Sequence, residues 1–282
     1  MRTLPLLLAP LLLLPACQAD PVLDTSAPLE APSGSPGLTI LDTRTPDKPV
    51  GADELSINVA PVLRYIALKG PRTRLSTRST SAVGTSVDRI VSEGPGGSPL
   101  PETRQTLELL TTPAGDMAVA TTTEQADSVV THFDPPLIAV PARLNPGQTL
   151  KQSLAMRVYP IKSPDRVKTK GQGTQEITFA ARERVRVPAG EFDSARLDTL
   201  FRMALDNAKV TVKTTSWYAE GVGLIAERSS ERVTVFGLNV RSKDEAWALD
   251  KIIDPGTAPA RLGRADATKR APSVAVATPP AR

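Results

Sequence analysis

The chain of 282 residues has one cysteine and one histidine, and only 4% of its residues are aromatic. One cysteine cannot close a disulfide within the chain, so the fold is not a small disulfide-stapled scaffold. One cysteine and one histidine also fall short of the ligand set of a structural zinc site. Beyond the first residues, no apolar run approaches the ~20 residues of a membrane-spanning helix. These shortages exclude folds stabilised by disulfides or zinc.

Catalytic motifs are also missing. His132 is the only histidine, and no Gly-x-Ser-x-Gly elbow accompanies it, so a serine hydrolase triad is not indicated. The chain has no phosphate-binding loop, complete dinucleotide fingerprint or calcium loop. We therefore expect a protein that is not an enzyme and that holds no cofactor or metal. A hydrolase with two close carboxylates stays an alternative, because the chain contains 30 acidic residues.

Charge is low and evenly spread, with a formal net charge of +4. Lysine and arginine form no run of five or six, so we expect no nucleic-acid partner. The densest basic stretch is Arg182, Arg184 and Arg186. Because these residues occupy alternate positions, they predict the solvent-facing side of a strand.

The first 17 residues resemble the leader of a bacterial lipoprotein. Arg2 precedes an apolar stretch from Leu4 to Leu14, and Leu14-Pro15-Ala16-Cys17 looks like a lipobox. A lipobox directs acylation of its cysteine and cleavage just before it, so residues 1–16 are predicted to be the signal peptide. Each buried methylene contributes ~0.8 kcal/mol, and the two or three acyl chains of such lipoproteins give a lasting anchor. The alternative is an ordinary secretory signal in which Cys17 plays no part.

The residue after the cysteine bears on which membrane holds the protein. Aspartate at that position favours the inner membrane in many bacteria, whereas this chain has Gln18. We expect a lipid-anchored protein of the cell envelope, on the outer membrane and facing the periplasm. Its predicted membrane contact is the acyl chains on Cys17.

Three segments of different composition follow the signal peptide. Residues 17–50 contain the acylated cysteine and a proline-rich stretch that predicts a flexible tether. Residues 51–253 carry regular hydrophobic patterning without an internal linker and predict a single domain. Residues 254–282 are rich in alanine, proline and arginine and predict a disordered tail.

Alternation of apolar and polar residues dominates the predicted domain. This period of two predicts strands with one buried and one wet face, which is typical of antiparallel sheets. Short turn sequences, such as Asp206-Asn207 and Pro188-Ala189-Gly190, favour an up-and-down meander. We predict a mainly β fold, a long antiparallel meander curled into a half-open barrel, with a β-sandwich as the alternative. The clearest alternation lies in residues 150–158, 177–187, 195–205, 208–218 and 233–235.

One short C-terminal helix is predicted. Ser242-Lys243-Asp244-Glu245 has the capping-box pattern, and apolar residues follow it up to Ile253. Such a helix would close the domain against the sheet. The segment from Pro61 to Leu68 is compatible with a second short helix or with a bent strand.

The C-terminal half of the domain resembles a family of uncharacterised exported bacterial proteins. Its members carry V-P-A-G-x-F and then W-Y-A-x-G-V-G-L-[IV], matched here by Pro188 to Phe192 and by Trp217 to Ile225. Pro136 to Gln148 resembles a further element of that family, and Leu150 stands where relatives often have an aromatic residue. The resemblance, over residues 135–236, implies an envelope lipoprotein with a half-open antiparallel barrel around a helix. Some proteins of that wider group carry lipids or lipoproteins in the barrel.

No activity is assigned to that family, so the function is inferred from the sheet. An apolar inner face would bind an apolar ligand, such as a lipid, or a client protein with little directional chemistry. The alternative is a structural or assembly lipoprotein that acts through contacts with other envelope proteins. Whether the predicted helix fills the inner face distinguishes the two. The candidate lining residues are Leu197, Phe201, Met203, Val210, Val212, Trp217 and Tyr218.

Overall fold

The structure is a computed structural model that describes residues 37–56, 62–82, 84–93 and 103–253. Within these ranges the chain forms thirteen β-strands and no α-helix. The strands are β1 (Thr39–Arg44), β2 (Val62–Ala67), β3 (Arg72–Ser81), β4 (Gly84–Glu93), β5 (Thr103–Thr111), β6 (Met117–Glu124), β7 (Val129–Val140), β8 (Thr149–Pro160), β9 (Thr169–Val187), β10 (Gly190–Leu205), β11 (Ala208–Ala219), β12 (Gly223–Val235) and β13 (Leu238–Ile252).

The strands form one antiparallel sheet that closes into a barrel. From β2 to β13 each strand pairs with the next along the chain, and β13 pairs back to β2. The twelve strands β2 to β13 therefore make a ring, and β1 adds to β9 beyond the part that pairs with β8. The predicted turns at Asp206-Asn207 and Pro188-Ala189-Gly190 connect β10 to β11 and β9 to β10. The predicted mainly β antiparallel fold is confirmed.

The larger apolar core lies inside the barrel. Residues that pair across neighbouring strands project on the same side of the sheet, as Phe179 and Leu197 do. Strands β4, β5 and β6 contribute Val87, Leu107 and Val119 to the same core. Burying a side chain of this size contributes about 1.5–3 kcal/mol. Further members are Leu109, Ile138, Val140, Ile177, Ala195, Tyr218 and Leu224.

A second core lies near the β9–β10 turn and draws on both faces of the sheet. Trp217 projects from the face opposite to that of its neighbour Tyr218 and packs in a cluster with Val187. The Ala189 N–H donates to the Leu249 carbonyl at 3.1 Å, so the β9–β10 turn is fastened to β13. The two sequence segments of the family resemblance thus meet in one cluster, where their role is packing.

The chain ahead of β2 closes one end of the barrel. Val50 and Leu144 exchange backbone hydrogen bonds of 3.0 and 2.7 Å. Leu55 is buried in the inner core, and Glu54 accepts a 2.6 Å hydrogen bond from Arg182 of β9. We call this end, which also carries the β5–β6, β7–β8, β9–β10 and β11–β12 turns, the plugged end.

The predicted C-terminal helix is wrong, because its residues belong to β13. This strand pairs with β12 on one side and with β2 on the other. Trp247 and Leu249 project into the barrel, whereas Ala246 and Ala248 project to the opposite face. A helix cap contributes only about 1 kcal/mol. Pairing with two neighbouring strands outweighs that contribution and sets the strand conformation.

Two segments differ from or refine the sequence interpretation. β1 lies within residues 17–50, which were predicted to be tether, so the ordered domain begins ahead of residue 51. In the segment from Pro61 to Leu68, residues 62–67 form strand β2 and not a helix. The predicted signal peptide, Cys17 and the tail from residue 254 lie outside the described residues.

A buried carboxylate joins four strands near the plugged end. Glu183 of β9 accepts hydrogen bonds from the Trp217 indole at 2.6 Å and from Arg196 at 2.8 Å. The Thr43 hydroxyl of β1 lies 3.5 Å from the same carboxylate. Only 1% of the Glu183 side chain is exposed. Because an unpaired buried charge is costly, these bonds fix how β1, β9, β10 and β11 sit together.

We predict that Glu183→Ala lowers the free energy of unfolding by about 3 kcal/mol, because Trp217 and Arg196 lose a buried partner. Urea unfolding followed by tryptophan fluorescence measures this change. The control is Glu191→Ala, which removes an exposed carboxylate paired with Arg184 and Arg186 and should change stability little. Equal stability of the Glu183 variant and the parent protein would contradict the prediction.

Candidate functional site

The barrel end opposite the plug is the candidate binding site. It carries the β2–β3, β6–β7, β8–β9, β10–β11 and β12–β13 connections, and we call it the open end. On the wall formed by β10 and β11, Phe201 pairs with Val212 and Met203 pairs with Val210. These four side chains project on the inner face, as Phe179 does.

Six of the seven predicted lining residues share this inner face. Leu197 and Tyr218 lie on it near the plugged end, within the inner core. Phe201, Met203, Val210 and Val212 continue it towards the open end. Trp217 does not belong to this set, because it projects from the opposite face and binds Glu183. A single position separates Trp217 from Tyr218, and in a strand neighbouring side chains point to opposite faces.

The two halves of the barrel interior differ in how completely side chains fill them. Leu197 and Phe179 are buried by the facing wall and by the plug. Phe201, Val210 and Val212 face the same interior but are only partly buried. Apolar side chains that face inward yet stay partly exposed are a surface on which an apolar ligand can pack.

At the open end, β9 has a glycine at one of its inward-facing positions. Gly173 pairs with Met203 on the inner face, so no side chain projects into the barrel there. A Cβ at this position would lie 2.1 Å from the Arg202 carbonyl oxygen. The close approach of β9 to β10 therefore requires glycine, and the Met203 side chain packs over it, with Cε 3.0 Å from the position of that Cβ.

One strand of the open end has a free edge in the described part of the chain. β2 pairs with residues 247–252 of β13, and the Leu68 N–H donates to the Ala246 carbonyl at 2.9 Å. Ahead of that point β13 has β12 as its only described neighbour. The barrel is therefore a closed ring towards its plugged end and a trough with one open side along β13 towards its open end.

A buried arginine lies where this open side begins. Arg74 of β3 forms a 3.1 Å ion pair with Glu227 of β12 across the inner face. Its guanidinium carbon lies 4.6 Å from the ring centre of Tyr65 and 5.0 Å from that of Trp247. Cation–π contacts shielded from water reach about 2 kcal/mol. The neighbouring Arg72 forms a 3.0 Å ion pair with Glu245 of β13, so both arginines link β3 to strands beyond β2.

Electrostatics in this cluster favour charged Glu227. Burial raises the pKa of its carboxyl, but Arg74 and Arg89 outweigh burial and hold that pKa below its ordinary value. Burial, together with the charge on Arg74, lowers the pKa of Arg89. Burial, reinforced by Glu227, raises the pKa of Tyr218 to about 12. At neutral pH the cluster thus contains two guanidinium groups, one carboxylate and neutral tyrosines.

Arg74 is not fully satisfied by these contacts. Its Nε and Nη2 atoms are buried and have no hydrogen-bond partner. A buried donor without a partner costs roughly 1–3 kcal/mol, so the pairing with Glu227 and the two rings must offset that cost. The atoms are sealed from solvent, which makes the cluster a structural support for the trough and not a ligand contact.

Acidic groups collect at the open end near the β6–β7 turn. Burial, followed by the charges of Asp127 and Glu231, raises the pKa of Glu124. Gln105 donates to Glu124 at 3.3 Å. Glu231 belongs to β12 and Glu124 to β6, so the influence of one on the other acts across the barrel. This acidic rim would repel an anionic head group placed in the trough.

The remaining candidate for chemistry is His132, which lies away from these groups. Its ring makes an edge-on contact with Tyr159, with 5.3 Å between ring centres, and its Nδ1 is 3.3 Å from the Thr121 hydroxyl. Among the described residues, no group of three or more His, Cys, Asp or Glu side chains is placed to hold a metal ion. No helix in that part of the chain is both long and apolar enough to cross a membrane.

Sequence reasoning missed the arginine cluster and the trough's open side. Arg74 and Glu227 are 153 positions apart, and no local pattern connects them. One signal was available, since Arg72, Arg74 and Ser76 alternate with Thr73 and Leu75 and so predict a strand with a polar face. That the polar face of β3 points inward could be learned only from the closed ring.

Comparison with known proteins gives one family match. A family model described as DUF3108-like matches residues 106–234, from β5 into β12. This range contains Pro188 to Phe192 and Trp217 to Ile225, the segments that carry the family resemblance. The match supports the resemblance to an uncharacterised family of exported proteins, and the exact signature stays a prediction.

Comparison with solved structures gives distant likenesses. One is an inferred exported protein with a YmcC-like fold from Bacteroides fragilis NCTC 9343, at 13% identity and a TM-score of 0.40, covering 72% of this chain and 100% of that chain. Another is an inferred lipoprotein from Parabacteroides distasonis ATCC 8503, at 13% identity and a TM-score of 0.35, covering 73% and 95%. No curated protein matches the chain. Nothing about function follows from likenesses of this size.

We predict that the stability of the protein falls on the acid side as Glu227 becomes protonated. Because the folded pKa of Glu227 is lowered, its contribution is present above the ordinary glutamate pKa and is lost as pH falls through the folded pKa. Glu227→Gln should cost about 3 kcal/mol at neutral pH, because Arg74 loses its counter-charge.

Urea unfolding at a series of pH values measures both effects. The Gln variant should show a shallower loss of stability towards acid than the parent protein. Glu176→Gln is the control, because that carboxylate is partly exposed and pairs only with exposed Lys151 and Arg202. Parallel pH curves for the Glu227 variant and the parent would contradict the assignment.

Proposed function

We propose that this protein is a non-catalytic lipoprotein of the bacterial cell envelope that holds an apolar, lipid-like ligand in the trough at the open end. The observation that carries the proposal is the partial exposure of the inward-facing Phe201, Val210 and Val212. In the plugged half, the equivalent inner face is filled by the chain's own side chains. Apolar contact supplies affinity, at about 25 cal/mol per Å² of buried apolar area, without reactive groups.

The proposed location follows from the N-terminal segment. Leu14 to Cys17 matches a lipobox, and the match to a family model supports membership of an exported group. Acyl chains on Cys17 would hold the barrel at a membrane, and Gln18 favours the outer membrane, facing the periplasm. A ligand taken from a bilayer would then have only a short path to the trough.

A structural or assembly role is the second candidate function. The observation in its favour is the free edge of β13 ahead of Ala246. An edge of this kind accepts an added strand from a partner protein through backbone hydrogen bonds. Arg241 and Lys243 lie on that part of β13, and charged side chains on an edge limit indiscriminate pairing.

We predict that the mature protein carries acyl chains on Cys17 and that Cys17→Ser abolishes them. Metabolic labelling with radioactive palmitate should mark the parent protein and leave the Ser variant unmarked. Membrane fractionation of Gln18→Asp provides a matched control for sorting, because an aspartate there should move the protein to the inner membrane. An unlabelled parent protein would rule out the lipid anchor.

We predict that the acyl-free protein, made with Cys17→Ser, is purified from the envelope with a bound apolar molecule. Native mass spectrometry should show a stoichiometric added mass that solvent extraction removes. Val212→Asp should lower its occupancy at least about tenfold, because a carboxylate would enter the apolar wall.

The matched control is Thr211→Asp, one position away on the opposite face of β11. It should leave the added mass unchanged. A clean mass for the parent protein, even after incubation with envelope lipids, would overturn the ligand proposal. Cross-linking in cells would then test the free edge of β13 for a protein partner.

A further inference from the structure

The β12–β13 hairpin ends in an exposed apolar tip. Phe236 and Gly237 form a two-residue turn, and Val235 pairs with Leu238 to close it. Phe236 is 89% exposed, Leu238 is 71% exposed and Val240 is 58% exposed. No other large apolar side chains in the described part of the chain are exposed to this degree. An isolated exposed apolar residue is ordinary, but three within one hairpin tip form a contact surface.

The backbone of the turn makes the phenylalanine unexpected. Phe236 has φ of 50° and Gly237 has φ of 84°, and positive φ at both central positions is the mark of a type I′ turn. Asn-Gly and Asp-Gly are the sequences that fit this turn best, because asparagine and aspartate tolerate the left-handed region. A bulky aromatic residue there costs stability and gains no burial within the protein. Its contribution must therefore come from something outside the molecule.

Basic side chains lie close to the tip. Lys209 of β11 pairs with Thr234, and Arg232 of β12 pairs with Ser242, so both lie along the strands that lead to the turn. Arg241 pairs with Val233 and so projects from the opposite face, where it forms a 3.2 Å ion pair with Glu231. Neither Lys209 nor Arg232 is among the ion-paired side chains of the described residues. An apolar tip with cationic flanks is complementary to a bilayer with anionic head groups.

We propose that the tip of the β12–β13 hairpin, formed by Phe236, Leu238 and Val240, inserts into the head-group region of an anionic lipid membrane. Phe236 and Leu238 supply the buried apolar area, and Lys209 and Arg232 meet lipid phosphates. The inference rests on the proposed envelope location and is independent of ligand binding. The tip belongs to the open end of the barrel. Glu231 of the acidic rim there is ion-paired with Arg241, so Lys209 and Arg232 are the charges available to the lipid phosphates.

Vesicle binding of the acyl-free protein tests the proposal. The protein carries Cys17→Ser, and vesicles of phosphatidylcholine with phosphatidylglycerol are compared with vesicles of phosphatidylcholine alone. In flotation assays the protein should bind the anionic vesicles more tightly. Phe236→Asn should weaken that binding about tenfold, because one buried phenylalanine is lost.

The variant Phe236→Trp reports insertion of the tip directly through tryptophan fluorescence, since the two native tryptophans are buried. Its fluorescence should shift to the blue with anionic vesicles.

The asparagine variant also separates binding from folding. Asn-Gly fits the turn better than Phe-Gly, so Phe236→Asn should raise the thermal unfolding midpoint while it lowers vesicle binding. A loss of binding through misfolding would lower both. Leu110→Asn, at the β5–β6 turn of the plugged end, is the matched control and should leave vesicle binding unchanged.

Three outcomes would overturn the proposal. The first is unchanged vesicle binding by Phe236→Asn, and the second is absence of a fluorescence shift in Phe236→Trp. The third is sedimentation showing that Phe236 instead supports a dimer of this chain, with no vesicle binding. Native mass spectrometry of the same variants keeps the two proposals apart. If the acyl-free protein binds anionic vesicles but carries no ligand mass, the trough proposal alone is rejected. If it carries the ligand mass but does not bind the vesicles, the hairpin-tip proposal alone is rejected.

Discussion

The barrel depends on the short seam at which β13 meets β2. Only five residue pairs join the two strands, and the side chains around them supply further links. The Tyr65 hydroxyl donates to the Leu224 carbonyl at 2.7 Å, Arg74 reaches Glu227, and Arg72 reaches Glu245. Trp247 lies under both arginines. A ring of twelve strands stays closed only if every neighbouring pair holds, so this cluster supports the whole inner core.

The same sheet uses its two faces differently along its length. Near the plugged end, Tyr218 is buried in the barrel while Trp217 is buried on the other side against Glu183. Near the open end, Phe201 and Val212 face the interior without being covered completely. A sheet buried on both faces is rigid, whereas one with a partly covered apolar face can accept a guest. The sheet is therefore rigid at the plugged end and keeps a partly exposed apolar inner face at the open end.

Several elements could be predicted from the sequence, because their information is local. The alternation in 177–187 and 195–205 identified two long strands, and Asp206-Asn207 identified the turn after them. The short helix at Ser242 was wrong because pairing with β12 and β2 outweighed a capping pattern. β1 was missed because a proline-rich neighbourhood concealed it, and its strand conformation comes from pairing with β9.

The candidate site also has one part that could be predicted from the sequence and one part that could not. Six lining residues were found together because they belong to two adjacent strands with a regular period. Trp217 was predicted to line the site with them, but it projects from the opposite face and donates to Glu183. The arginine cluster joins β3, β12 and β13, so its existence depends on closure of the ring. No single-sequence pattern reports such a contact.

The seam also governs the order in which the molecule can form. Arg64 of β2 and Asp250 of β13 form an ion pair across 186 positions, so these edges meet only after nearly the whole domain has been synthesised. Contacts between residues so far apart in sequence slow folding, because the chain loses the entropy of closing the loop before strand pairing can stabilise it. Until then the edges of β2 and β13 are open, and a chaperone that shields them would raise the yield of folded protein.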